Sequence, residues 1–259
     1  MKQASGLGFA AVLSVMLLAG CGSSGHTSSS TTAAASGKII VFAAASLNKT
    51  FTAIGNQFKT DNPGSDVEFS FEGSSVLVTQ LTQGAPADVF ASADTANMGK
   101  AVKAGLVNGD PVNFASNTLT VAVAPGNPKH INSFQDLTKP GLNVVVCAPQ
   151  VPCGSATQKV EQATGVHPNA VSEELSVTDV LNKVTTGQAD AGLVYITDAL
   201  GAGNKVTSVP FPEAANAVNI YPIAVLKQSK HAELARKFVD LVTGEAGQKI
   251  LSAAGFAKP

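Results

Sequence analysis

Four short stretches of the chain put small, donor-bearing residues where an apolar run gives way to helical spacing. They are AAASL around Ser46, FEGSSVL around Ser74 and Ser75, VPCGSATQKV around Cys153, and SVTDVLNKV, where Thr178 and Asp179 precede Val180. The first backbone N–H groups of a helix have no partner inside the helix, and together they carry about half a positive charge. A serine hydroxyl beside them adds another donor. Several such joints aimed at one point would hold an anion without any lysine or arginine. The same residues also read as ordinary helix caps, because serine, threonine and aspartate are what a helix start favours. Taken singly, the joints do not separate the two readings.

Other chemistries find less support in these residues. A nucleophilic Ser46 or Ser74 needs a base within reach. His130 and His167 fall in turn-like sequence, His231 opens a helix, and no G-x-S-x-G motif occurs. A serine hydrolase is the distant alternative, and no enzymatic activity is expected. Cys147 and Cys153 stand close together in CAPQVPCG. Outside the cell such a pair reads as a disulfide, here closing a loop of about seven residues and contributing about 2 kcal/mol. The spacing is not the C-x-x-C of a redox motif, and no histidine stands near to complete a metal site. Asp88 and Asp198 would repel an anion, so each is expected to brace a joint from behind.

The elements that must position these joints alternate in type. Strands are expected at Ile39–Ala43, Val67–Phe71, Asp88–Ala91, Leu119–Ala124, Asn143–Cys147, Ala191–Tyr195 and Tyr221–Leu226. Helices are expected at Leu47–Lys59, Val76–Gln83, Thr95–Ala104, Ser155–Thr164, Asp179–Thr186, His231–Leu241 and Glu245–Ala253. In the first helix, Leu47, Phe51, Ile54 and Phe58 repeat at helical spacing. Several strands are unbroken apolar runs, which suits sheets covered on both faces. Strand and helix in alternation predict an α/β fold. In such folds ligands bind beyond the carboxyl ends of strands, where the four joints lie.

The ends and the charge narrow the setting. Residues 1–20 carry Lys2 and then the apolar run GLGFAAVLSVMLLAG, which together read as a signal peptide. LAGC, Leu18 to Cys21, resembles a bacterial lipobox, which implies cleavage before Cys21 and lipid on its sulfur. Residues 21–37 lack charge and read as a flexible tether. The expected location is therefore the outer face of the cell membrane, reached by a lipid anchor. A formal net charge of −1 gives no basic face for nucleic acid.

VFAAASL, GSSVLVTQLTQGAPADVFASAD, VPCGSATQ and DVLNKVTTGQADAGLVYITDA, in this order and with YPIAVL further on, resemble the molybdate-binding proteins of bacterial ABC importers. The resemblance covers Lys38 to Phe256. It implies a periplasmic-binding-protein fold, with two α/β lobes facing across a cleft and the chain crossing twice. Lobe one is expected over residues 38–117 and 225–259, and lobe two over 118–224. The implied cargo is molybdate or tungstate, and the implied partner is the membrane permease of an importer. The implied contacts are Ser46, Ser74, the backbone of Cys153, the backbone of Val180, and Tyr195, with Ser75 able to exchange roles with Ser74. Molybdenum would enter only as the oxyanion, with no protein ligand on the metal and no cofactor. A monomer is expected. Another oxyanion such as sulfate is the nearer alternative, because it too is fully deprotonated.

Overall fold

The structure, a computed structural model, describes residues 36–259. The signal peptide, Cys21 and nearly all of the tether lie outside the described residues. Among the described residues, ten strands and eight α-helices follow, alternating except at β4–β6, β9–β10 and α7–α8. Two five-stranded sheets result, each with its own apolar core.

The first sheet has the order β2-β1-β3-β10-β4. Its strands are β1 (Gly37–Ala44), β2 (Ser65–Glu72), β3 (Val89–Ala91), β4 (Val112–Asn117) and β10 (Asn219–Val225). Helices α1 (Asn48–Asp61), α2 (Ser74–Thr82), α3 (Thr95–Lys103), α7 (Ala232–Thr243) and α8 (Glu245–Ala253) accompany it. The helical spacing in α1 places Phe51, Ile54 and Phe58 in the core, all fully buried. The Phe238 ring of α7 meets Phe51 and Phe58 edge-on at 5.8 and 5.5 Å. Edge-to-face contacts at such distances add about 0.5–1.5 kcal/mol each beyond area burial.

The second sheet has the order β7-β6-β8-β5-β9. It contains β5 (Leu119–Val123), β6 (Val144–Cys147), β7 (Ala170–Glu174), β8 (Ala191–Tyr195) and β9 (Thr207–Val209). Helices α4 (Pro152–Thr164), α5 (Val177–Thr185) and α6 (Ile196–Ala202) belong to it. Every residue of β5, β6 and β8 is buried, as unbroken apolar runs covered on both faces should be.

The chain leaves the first sheet at Asn117 and enters the second at Leu119. It returns between Val209 and Asn219, through a 3₁₀ turn over Pro212–Ala217. The expected extent of lobe two, to residue 224, is therefore too long. β10 pairs antiparallel with β3 and β4, so Asn219 to Ala224 belong to the first sheet. Strand pairing also begins at Gly37, inside the expected tether, where Gly37 faces Ser65.

Candidate functional site

Four of the five expected contact residues gather around one small cavity between the two sheets. Its lining comes from Ala44, Ala45 and Ser46 at and just beyond the end of β1, from Gly73 and Ser74 at the start of α2, and from Ala93 after β3. Across from them stand Val151, Pro152 and Cys153 at the start of α4, Val177 at the start of α5, and Tyr195 at the end of β8. None of these side chains carries a formal charge. The space between them, counted as all volume outside the atoms, is about 200 Å³.

On the first-sheet side the hydroxyls are held from behind. Ser46 Oγ lies 3.0 Å from the phenol oxygen of Tyr221, which is fully buried on β10. Ser74 Oγ accepts the Ala93 N–H at 3.0 Å, and Ser74 is itself fully buried. That bond occupies a lone pair of the serine and leaves its O–H proton free to donate elsewhere. Ser75 is also buried, and its hydroxyl has no hydrogen-bond partner among the described residues, but it does not line the cavity.

On the second-sheet side the donors are helix starts and one phenol. Pro152 opens α4, a position where a missing N–H costs nothing. Cys153 and Gly154 follow, and the first backbone bond into the helix is Ser155 N–H to Val151 O, at 2.9 Å. The Cys153 and Gly154 N–H groups are thus the orphan donors of this turn. Cys153 is joined by a disulfide to Cys147, the last residue of β6, with Cα atoms 5.6 Å apart. A Cβ on Gly154 would stand 2.0 Å from Ala148 O, so only glycine lets the helix start lie this close to the strand end.

Val180 is not at the cavity. Helix α5 begins two residues earlier than its periodicity predicts, and the Val180 N–H is bound to Ser176 O at 3.4 Å. Ser176 is the cap, accepting the Asp179 N–H at 3.2 Å. Val177 is the first helical residue, and it is Val177 that lines the cavity. The signal for this was in the sequence, since Ser176-Val177-Thr178-Asp179 is the S-x-x-D pattern of a capped helix start.

Tyr195 closes the cavity from β8. It is 1 % exposed, and its hydroxyl has no hydrogen-bond partner among the described residues. Burial first, and then the neighbouring Tyr221 phenol, hold its pKa well above the ordinary tyrosine value, so it keeps its proton and remains a donor. Its ring lies 6.0 Å from that of Tyr221, with the planes inclined by 67°. Asp198 accepts the Tyr195 backbone N–H at 3.1 Å, and burial pushes its carboxyl up to about 7. Asp88 accepts the Ile40 N–H at 2.7 Å and the Ser229 hydroxyl at 2.6 Å. Both aspartates brace backbone, and neither lines the cavity.

Sequence reasoning missed Tyr221, Ala93 and Val177. It also missed how closely the lobes meet. A Cβ on Gly73 would stand 2.1 Å from Leu175 O, between β7 and α5. The Lys49 ammonium of α1 donates to Gly201 O of α6. The two lobes are closed on one another in this structure.

Two α/β lobes joined by two crossings, with a donor-lined cavity between them, define a solute-binding protein. The chain belongs to the bacterial extracellular solute-binding protein family, whose model matches residues 39–257. More particularly, it is 62 % identical over 252 residues to the molybdate-binding protein ModA of Mycobacterium tuberculosis, covering 96 % of this chain and 97 % of that one. It is 32 % identical to the Escherichia coli molybdate-binding protein ModA, covering 85 % and 89 % of the two chains. The structure of the Azotobacter vinelandii periplasmic molybdate-binding protein superposes with a TM-score of 0.76 at 24 % identity, covering 85 % of this chain and 99 % of that one.

Proposed function

We propose that the protein captures molybdate or tungstate outside the cell and delivers it to the membrane permease of an ABC importer. The observation that carries this reading is the uncharged ring of donors, completed by a buried Tyr195 hydroxyl with no hydrogen-bond partner among the described residues. A buried hydroxyl left unpaired costs about 1–3 kcal/mol, and a ligand oxygen placed there removes that cost. Ser46, Ser74 and Tyr195 donate O–H groups to the anion. Cys153 and Val177 donate backbone N–H groups, with Val177 taking the place expected of Val180.

A fully deprotonated tetrahedral dianion offers acceptors only, which matches a site whose hydroxyl and backbone N–H groups can all donate at once. Monohydrogen phosphate carries an O–H that would need an acceptor there. The backbone N–H groups of Cys153 and Val177 cannot accept that proton, and a serine or tyrosine oxygen that did so would lose its best donor geometry toward the other anion oxygens, so phosphate is disfavoured. Release to a permease is helped by the same chemistry, because no fixed cation has to be separated from the dianion. Lipid on Cys21 and a tether up to the first strand would keep the protein, as a monomer, close to that permease. The relatives bearing the molybdate-binding name are binding proteins, and the same reading gives this chain no catalytic step.

The test is titration calorimetry of the mature protein with molybdate, tungstate, sulfate and phosphate. Tight binding of the first two and no detectable phosphate binding are expected. Strong phosphate binding, or no heat with molybdate, overturns the reading. Sulfate binding as tight as molybdate binding would move the assignment to sulfate.

A further inference from the structure

Two asparagines sit where the chain crosses between the lobes, and neither lines the anion cavity. Asn117 is the last residue of β4, and Asn219 is the first residue of β10. They are register partners in the antiparallel pairing of those strands. Both are more than nine-tenths buried. Hinge positions in extended strands do not require asparagine, which is depleted from strands in general.

Their side chains explain the residue type. The Asn219 amide nitrogen donates to Ala93 O at 2.8 Å on the first-sheet side, and makes a longer contact of 3.4 Å to Pro152 O on the second-sheet side. Ala93 is the residue whose N–H holds Ser74, and Pro152 immediately precedes Cys153. The Asn117 amide donates to Thr197 Oγ1 at 2.7 Å, while its carbonyl oxygen accepts the Thr118 N–H at 3.0 Å. Thr197 lies in α6, two residues beyond Tyr195. Each hinge asparagine thus ties the first lobe to a segment of the second lobe that carries an anion donor.

We propose that Asn117 and Asn219 form a hinge latch: two positioning residues whose side-chain bonds across the crossing hold the closed state and set how slowly the ligand leaves. The inference rests on the oxyanion reading, because it names what controls release from that site. These bonds join the lobes in the closed structure, and parting the lobes would break them. Losing them should therefore leave encounter with the open cleft unchanged and speed reopening.

The test uses the mature protein and the variants Asn219→Ala, Asn219→Gln and Asn117→Ala, with molybdate as probe. Association and dissociation rates are read by rapid filtration, and small-angle scattering reports how far the lobes are apart. Asn219→Ala and Asn117→Ala should each raise the dissociation rate about tenfold, the size of one hydrogen-bond difference of about 1.4 kcal/mol. Association should stay within twofold. Asn219→Gln, which keeps an amide donor, should recover part of the loss. A dissociation rate within twofold of the parent in both alanine variants overturns the latch, as does a loss carried equally by association. Because Asn219 also bonds Ala93 within the first lobe, folding of each variant is checked by circular dichroism, and failure of both to fold overturns the latch in favour of a purely structural role. Should the parent take up no molybdate, the oxyanion reading falls. The latch is then read from ligand-free scattering, where both variants must be more extended than the parent and equal profiles defeat it.

Discussion

On the first-sheet side of the cavity, the donors are side-chain hydroxyls, each backed by a partner from its own lobe. Tyr221 stands behind Ser46, and the Ala93 N–H stands behind Ser74. On the second-sheet side, two donors are backbone groups at the starts of α4 and α5, and the third is the Tyr195 phenol, which has no such backing. The first lobe presents a finished half-site whose chemistry depends on residue type. The second lobe presents a half-site that depends on where helices begin, and its one side-chain donor, without a hydrogen-bond partner among the described residues, is left for the proposed ligand. On the proposed function, binding specificity would be written in side chains on one side and in backbone position on the other.

The largest effect that could break this comparison is expected at Ser74. Ser74→Ala removes a hydroxyl facing a charged oxygen, a loss of about 1.5–3 kcal/mol or roughly ten- to a hundredfold in affinity. It also orphans the Ala93 N–H, so ligand-free stability should fall by about 1–3 kcal/mol in urea unfolding. Tyr195→Phe should weaken molybdate binding over the same range yet leave ligand-free stability unchanged or slightly higher, because its hydroxyl has no partner to lose. If calorimetry and unfolding show the two variants behaving alike, the backed and unbacked halves are not different in kind.

A second, smaller effect sharpens the backbone half. Val177→Ala keeps its N–H and should change affinity by less than about twofold. Val177→Pro occupies the first helical position, where proline is well tolerated, and follows Ser176 at ψ 156°, an extended conformation that suits a residue before proline. It removes the N–H alone and should cost about tenfold in molybdate affinity. Equal binding by the proline and alanine variants would show that the α5 start is not a donor.

The smallest effect on binding should come from Asp198. Its carboxyl is raised from 3.8 to about 7, so between roughly pH 4 and 7 the folded protein holds a proton that the unfolded chain releases. That group's contribution to stability therefore falls as pH rises through the window and is level above it. Asp198→Asn keeps an oxygen for the Tyr195 N–H and cannot ionise. The variant should gain thermal stability relative to the parent as pH rises from 5 to 8, with molybdate affinity shifted no more than a few-fold. A parent and variant that keep a constant Tm difference across that range would show that Asp198 does not titrate there.

Much of the fold was legible because the relevant signals are local. Leu47, Phe51, Ile54 and Phe58 announce α1, and the apolar runs at Leu119–Ala124 and Ala191–Tyr195 mark the centre of the second sheet. The elements missed are those with weak or broken patterns. Strand β4, VNFASN, mixes two asparagines and a serine into its run, strand β7, AVSEE, is mostly exposed, β9 spans only Thr207–Val209, and α6 is short, with glycine at Gly201 and Gly203. Ser46, Ser74 and Cys153 stand at strand-to-helix joints legible in the residues, whereas Tyr195 comes only with the family resemblance, which also supplies the ligand. Val180 follows from the resemblance as the residue after an acidic one, whereas the Ser176 cap starts α5 at Val177. Tyr221 and Asn219 could not be found locally: the first meets Ser46 across 175 residues of chain, and the second meets Ala93 across 126. Nothing in a linear pattern reports a bond of that span.

Gly73 carries one more consequence. With Leu175 O only 2.1 Å from where its Cβ would stand, and backbone rather than a movable side chain on the far side, this contact has no slack. The shut molecule is gauged at this point to less than the width of one methyl group. A single added carbon would act as a doorstop, leaving both half-sites intact and the ligand unable to touch them together.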